Sequence, residues 1–125
     1  MFTSRKEHII KAPLIEATEE NSRAFRAYLT KEWADYPDAL PTATASKLSC
    51  CQPQRIHEMI RSGKLHSGKV GATQYCVKDE IIHYTASVKR LSNPTGDAYK
   101  ELIRAFKRRQ CRERENEKRR EKRKS

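Results

Sequence analysis

The chain has 125 residues, 27 of them Lys or Arg and 16 Asp or Glu, for a formal net charge of +11. That length holds one small domain with appendages, and no apolar run approaches the roughly 20 residues of a membrane-spanning helix. The opening MFTSRKEHIIKAP lacks the apolar stretch of a secretory signal, so a cytoplasmic protein with no membrane partner is expected.

Residues 1–15 show no periodicity and contain Pro13; they read as an arm in which Ile9, Ile10, Leu14 and Ile15 can pack as an extended piece. A helix is predicted from about residue 17 to residue 34. Thr18 offers a capping hydroxyl, and Glu19 and Glu20 put acid where the helix dipole favours it. Phe25, Tyr28, Leu29 and Trp33 recur at helical spacing as a core face, and Asp35-Tyr36-Pro37-Asp38 ends the helix. Thr42 then caps a short helix to Ser49, with Ala45 and Leu48 inward and Ala45 small enough for close helix approach. After a Ser49-Cys50-Cys51 turn, a second helix begins near Gln52. Its first turn holds Pro53, where a missing N–H costs nothing. Ile56, Met59 and Ile60 form its buried stripe and leave Gln54, Arg55, Glu58 and Arg61 outward; Ser62-Gly63 closes it with a glycine placed for a left-handed cap.

Residues 65–70 and 74–77 read as two strands joined by Gly71-Ala72-Thr73. A further helix starts at Asp79 or the residue before it, with Ile81, Ile82, Tyr84 and Val88 as apolar positions. Residues 92–96 form a linker. The last helix starts near Asp97 and docks through Tyr99, Leu102, Ile103 and Phe106; past Phe106 the apolar stripe ends, and the distal tail is expected to be disordered without a partner. Helix, turn, helix, hairpin and helix is the order of a winged helix-turn-helix. The expected organisation is therefore an arm (1–15), an N-terminal helix and turn (16–38), a winged helix-turn-helix (39–91), a linker (92–96) and a basic helical tail (97–125), mainly α with one small β-hairpin.

Charge is concentrated in that tail: residues 104–125 hold 12 basic and 4 acidic side chains, against 15 and 12 in residues 1–103. Such runs commonly face polyanions, nucleic acid above all. In this layout a helix fits the major groove and the residues at its N-terminal end reach base edges. Gln54 suits adenine and Arg55 guanine, each bidentately. Gln52 caps the helix or bonds a phosphate, and Glu58 accepts from cytosine or orients Arg55 or Arg61. The hairpin residues Lys64, His66, Lys69, Thr73 and Gln74 are candidates for backbone contact, as are Arg104, Lys107, Arg108, Arg109 and Arg112 on the tail. His57 is expected to pack half-buried at the helix edge.

Catalysis and metal binding find little support. Cys50, Cys51, Cys76 and Cys111 read as free thiols in a reducing compartment, and with His57 and His66 they show neither C-x₂₋₄-C nor H-x₃₋₅-H spacing. There is no phosphate-binding glycine loop and no H-E-x-x-H, and a Cys51–His57 pair lacks an evident orienting third group. No enzyme activity, metal or cofactor is expected.

Across residues 40–84, Ala45, Leu48, Gln52, Ile56, Met59 and Ile60, then Arg61-Ser62-Gly63-Lys64-Leu65, Lys69-Val70-Gly71, and residues 78–84 fall in one register. This pattern resembles the helix-turn-helix domain of the excisionase family, related to MerR-type winged helices. The stretch at 33–40 resembles the lead-in of some members from mobile elements. Two departures stand out: Ser49-Cys50 occupy the turn where members often have Leu-Gly, and Ala72 follows the Lys-Val-Gly where members usually have Arg. The resemblance implies a sequence-specific double-stranded DNA-binding accessory factor of a mobile element, associated with the nucleoid. Such a factor bends DNA near an element's end and biases a site-specific recombinase towards excision. Because one module of this size buries only about 600–1,000 Å² on DNA, cooperative self-association on adjacent sites is expected. A small transcription regulator would use the same surface. An RNA- or protein-binding adaptor acting through the basic tail is the reading of another class.

Overall fold

The computed structural model describes residues 14–124. It is mainly helical, with one small antiparallel sheet. The elements run α1 (Glu19–Glu32), β1 (Ala39–Pro41), α2 (Thr42–Ser49), α3 (Pro53–Arg61), β2 (Ser67–Val70), β3 (Thr73–Val77), α4 (Lys78–Thr85), α5 (Val88–Ser92) and α6 (Asp97–Lys124).

Local signals account for most boundaries. The Thr18 side chain accepts from the Asn21 amide at 3.1 Å and so satisfies one of the free N–H groups that open α1. Thr42 does not cap α2 as expected. It is the first helical residue, preceded by Pro41 in the cap position, which has no side-chain acceptor. α3 starts at Pro53 with Gln52 in the cap position, although no Gln52 side-chain bond closes it. Gly63, at φ +81°, takes the left-handed conformation after α3, and the Lys64 amide returns to the Met59 carbonyl at 2.9 Å.

Between α2 and α3 the left-handed residue is Cys50, at φ 57° and ψ 43°. An L-residue there costs about 1–2 kcal/mol. Three hydrogen bonds hold the turn in place: Cys51 N–H to Ser46 O at 3.2 Å, Ser46 Oγ to Cys51 O at 2.5 Å, and Arg90 Nη2 to Cys50 O at 2.9 Å.

Three elements differ from the sequence expectation. β1 was not foreseen; its three residues pair with β3 in the register Leu40↔Cys76, making the hairpin a three-stranded sheet of order β1-β3-β2. Pro41, lacking an N–H, is tolerated because β1 is an edge strand. The hairpin turn is shorter than read. Val70 pairs with Thr73, leaving Gly71-Ala72 as the loop with Gly71 at φ +63°, while β2 begins at Ser67 because Leu65 is committed to the core. The helix expected from Asp79 through Val88 breaks at Ala86-Ser87, where the Ser87 hydroxyl accepts from the Arg90 amide and starts α5.

One core joins all the helices. Phe25, Leu29, Leu40, Ala45, Ile56, Ile81, Ala86, Leu91, Tyr99 and Ile103 are all buried. Phe106 stacks on Phe25 at 4.9 Å and tilts against Tyr28 at 5.4 Å, which docks the first part of α6 on α1. The C-terminal end of α4 carries carbonyls without helical partners. The Ser22 hydroxyl donates to Ala86 O at 2.7 Å and the Tyr99 hydroxyl to Thr85 O at 2.6 Å, tying α1 and α6 to the same helix end. Ile15 is buried and Leu14 packs beside the core; the packing expected of Ile9 and Ile10 lies outside the described residues. Beyond Phe106, where disorder was expected, α6 continues to Lys124. Good helix formers and the Arg109–Glu113 pair one turn apart favour that continuation.

Candidate nucleic-acid interface

α3 is anchored by Ile56 and Met59, both buried, with Ile60 partly so. Since residues three and four apart share a helical face, this places Gln54, Glu58 and Arg61 on the opposite side, where all three are exposed. Gln52, at the cap, is exposed too, and the first turn holds no acidic residue. His57 is exposed, contrary to the half-buried position expected of it. Ile56 and Ile60 fill the space beside it, so the ring has no pocket to enter.

Arg55 differs from its neighbours. It lies round the helix towards Met59, paired with Glu58 at 3.6 Å, and its guanidinium is held further towards the charged form first by the Tyr84 hydroxyl and then by Glu58.

The five hairpin candidates separate into two kinds. Lys64 and Lys69 are exposed and make no ion pair among the described residues. His66 is committed elsewhere: its amide donates to Glu80 Oε1 at 2.7 Å and its Nδ1 meets Oε2 at 2.6 Å. These two contacts hold the Glu80 carboxyl below its ordinary pKa. Gln74 is half-buried and donates from Nε2 to Ser67 Oγ at 3.3 Å, while Thr73 sits exposed at the turn. Val70, at the tip, is 73% exposed.

The tail candidates lie on α6, all exposed. Arg104 and Arg108 both reach Glu101, at 3.9 and 3.3 Å. Arg109 bridges back to Glu32 of α1 at 3.6 Å and along the helix to Glu113 at 3.3 Å. Lys107 and Arg112 are without a carboxylate partner among the described residues. The 18 residues from Lys107 to Lys124 form about 27 Å of helix.

A group of cations that the sequence reading passed over lies beside α3. A groove of about 540 Å³ runs between α3, α4 and α5, lined by Arg55, Lys64, Tyr84, Lys89, Arg90 and Asn93 among others, with no acidic side chain. Arg90 forms part of its wall. Its guanidinium lies 3.9 Å from the Tyr99 ring centroid and 4.9 Å from that of Tyr84, and Nη1 is buried with no hydrogen-bond partner. The local signal was the Lys89-Arg90 pair, which became meaningful only once the break at Ser87 swung it beside α3.

Among the described residues no three His, Cys, Asp or Glu side chains are grouped to hold a metal, and no helix is long and apolar enough to cross a membrane. All four cysteines are free; Cys76 is buried, and burial pushes the Cys50 and Cys76 thiols up from their usual pKa. In comparisons with known proteins, the chain matches no family model, no curated protein and no solved structure.

Proposed function

We propose that this protein is a sequence-specific double-stranded DNA-binding protein of the winged helix-turn-helix kind, acting as an excisionase-like accessory factor of a mobile element. The observation that carries the reading is α3: anchored on one face by Ile56 and Met59, it offers Gln52 and Gln54 outward from an N-terminal end free of acidic residues. A helix so mounted enters a major groove with its N-terminal residues at the base edges. Gln54 pairs bidentately with adenine, with Arg61 and Glu58 further along the same face. Lys64, in the loop after α3, and Lys69, on β2, meet phosphates, and the tail adds affinity that carries no sequence information. In this reading the β2–β3 hairpin is the wing; its tip presents Val70 and Ala72 and contributes little charge.

The factor makes no bond chemistry of its own. A single module of this size buries only about 600–1,000 Å² on DNA, so copies bind cooperatively on adjacent sites and hold the DNA in a shape that a site-specific recombinase uses. A transcription regulator would bind through the same residues, and location of the site, beside recombination ends or over a promoter, separates the two. The α6 helix, charged around its circumference past Phe106, favours one further reading, an adaptor for RNA or protein. Fluorescence anisotropy with labelled duplex DNA, duplex RNA and single-stranded RNA at near-physiological salt decides between these classes. The DNA reading expects duplex DNA to be bound most tightly; a preference for either RNA overturns it in favour of the adaptor.

A further inference from the structure

Arg55 and Gln54 are adjacent in sequence but serve different surfaces. On α3, Ile56, Met59 and Ile60 mark the inward face, and Gln54, Glu58 and Arg61 lie opposite. Arg55 lies about a quarter turn round the helix, lining the same groove as Tyr84 and paired with Glu58 at 3.6 Å. It thereby joins the wall of the groove that also carries Lys64, Lys89 and Arg90.

Four cations converge there from three separate parts of the chain: α3, the loop after it, and α5. Of the four, Arg55 alone is paired with a carboxylate among the described residues, and that carboxylate is exposed on the outer face. Arg90, wedged between two aromatic rings and bonded to the Cys50 carbonyl, supplies a fixed charge, and its second terminal nitrogen lacks an acceptor. Ser87, Ser92, Asn93 and Thr95 complete the lining as neutral polar residues. Four cations around a groove whose own lining holds no carboxylate suit a phosphodiester better than a base edge, because charge is what the backbone offers and a base does not.

We infer that Arg55, Lys64, Lys89 and Arg90 form a clamp for the DNA backbone, seating phosphates in the groove between α3 and α5, and that Arg55 reads no base. This rests on the DNA-binding reading. Base selection then falls to Gln54 and its neighbours on the outer face of α3. The clamp holds the strand on the α5 side of α3, which fixes how the helix is registered in the groove.

The experiment uses full-length protein as wild type, Arg55→Gln, Lys89→Gln and, for comparison, Gln54→Ala. Each is titrated with a preferred duplex and a scrambled duplex across a salt series, and each is put through selection from random duplex DNA. The clamp predicts that Arg55→Gln and Lys89→Gln each lower the slope of log affinity against log salt by about 0.9. They weaken binding to both duplexes by the same factor and leave the selected motif unchanged, whereas Gln54→Ala alters one position of the motif. A change of preferred base in Arg55→Gln restores it as a base reader and overturns the inference; so does an unchanged salt slope in Lys89→Gln. If the wild type prefers no sequence, the DNA-reading proposal falls and takes the clamp with it, an outcome separate from the other two.

Discussion

Replacing Tyr99 by Phe removes one oxygen and nothing else, which makes it the sharpest test of how α6 is held. The hydroxyl donates to the Thr85 carbonyl at 2.6 Å inside a fully buried contact, and burial holds the phenol far above its usual pKa. That carbonyl belongs to the end of α4, where the helix supplies no partner. In the variant the ring still fills its place beneath Arg90, so no cavity of consequence opens. What remains is a buried carbonyl without a donor, a loss of about 1–3 kcal/mol. With a urea m-value of about 1–3 kcal/mol per molar for a small domain, the unfolding midpoint should fall by roughly 0.3–3 M at an unchanged slope. Equilibrium urea unfolding followed by far-UV circular dichroism gives the number directly. A loss under about 0.5 kcal/mol would mean that water reaches Thr85, and the buried tie between α4 and α6 would be refuted.

Three further perturbations bear on separate parts of the account. Phe106→Ala empties the place packed against Phe25 and Tyr28 and should cost about 3–5 kcal/mol by thermal or urea unfolding; a cost near 1 kcal/mol would show that α6 is not docked there. Glu80 has a lowered folded-state pKa because it accepts from the His66 amide and ring. Its contribution is therefore present above the ordinary value of 4.5 and disappears as pH falls through the lower folded value. Glu80→Gln should be less stable than wild type at neutral pH, with the gap closing under acid, and a gap that widens under acid contradicts the assignment. Gln54→Ala should lose about 1–3 kcal/mol of discrimination at one A·T pair, read by quantitative competition between single-base variants of the preferred site; equal discrimination at every position would remove Gln54 from the reading surface.

What could be read from the sequence was what neighbouring residues determine. Thr18 before two glutamates, Pro53 at a helix start and Gly63 at a helix end each carry their structural meaning within one turn of chain, and the helices they bound are present. The inward stripe of α3 followed from spacing alone. β1 left no such mark: three residues including a proline acquire strand geometry only because β3 lies alongside. Cys50 is not a residue that signals a left-handed conformation by its own chemistry, and one of the bonds that holds it there comes from Arg90, 40 residues away.

The candidate site divides along the same line. The outward positions of Gln54, Glu58 and Arg61 could be derived from helical periodicity. Arg55, about a quarter turn from that face, was assigned to it because the sequence does not reveal the groove it shares with Tyr84. His66 was counted among the hairpin's free polar groups for the same reason; its partner Glu80 lies on the following helix, 14 residues on. The Lys89-Arg90 pair was hidden by an expectation of unbroken helix across Ser87. In each case the missing information was a tertiary contact.

The most direct test of the central proposal is selection from a random duplex DNA library at near-physiological salt. It is run with the full chain and with a version ending at Phe106, which lacks eleven basic and four acidic residues of the tail. A sequence reader built on α3 predicts that one motif is enriched by both proteins, with the shorter one binding more weakly and with a flatter salt dependence. No motif from either protein, with binding lost on truncation, would contradict the account and leave the basic tail as a binder of polyanions in general.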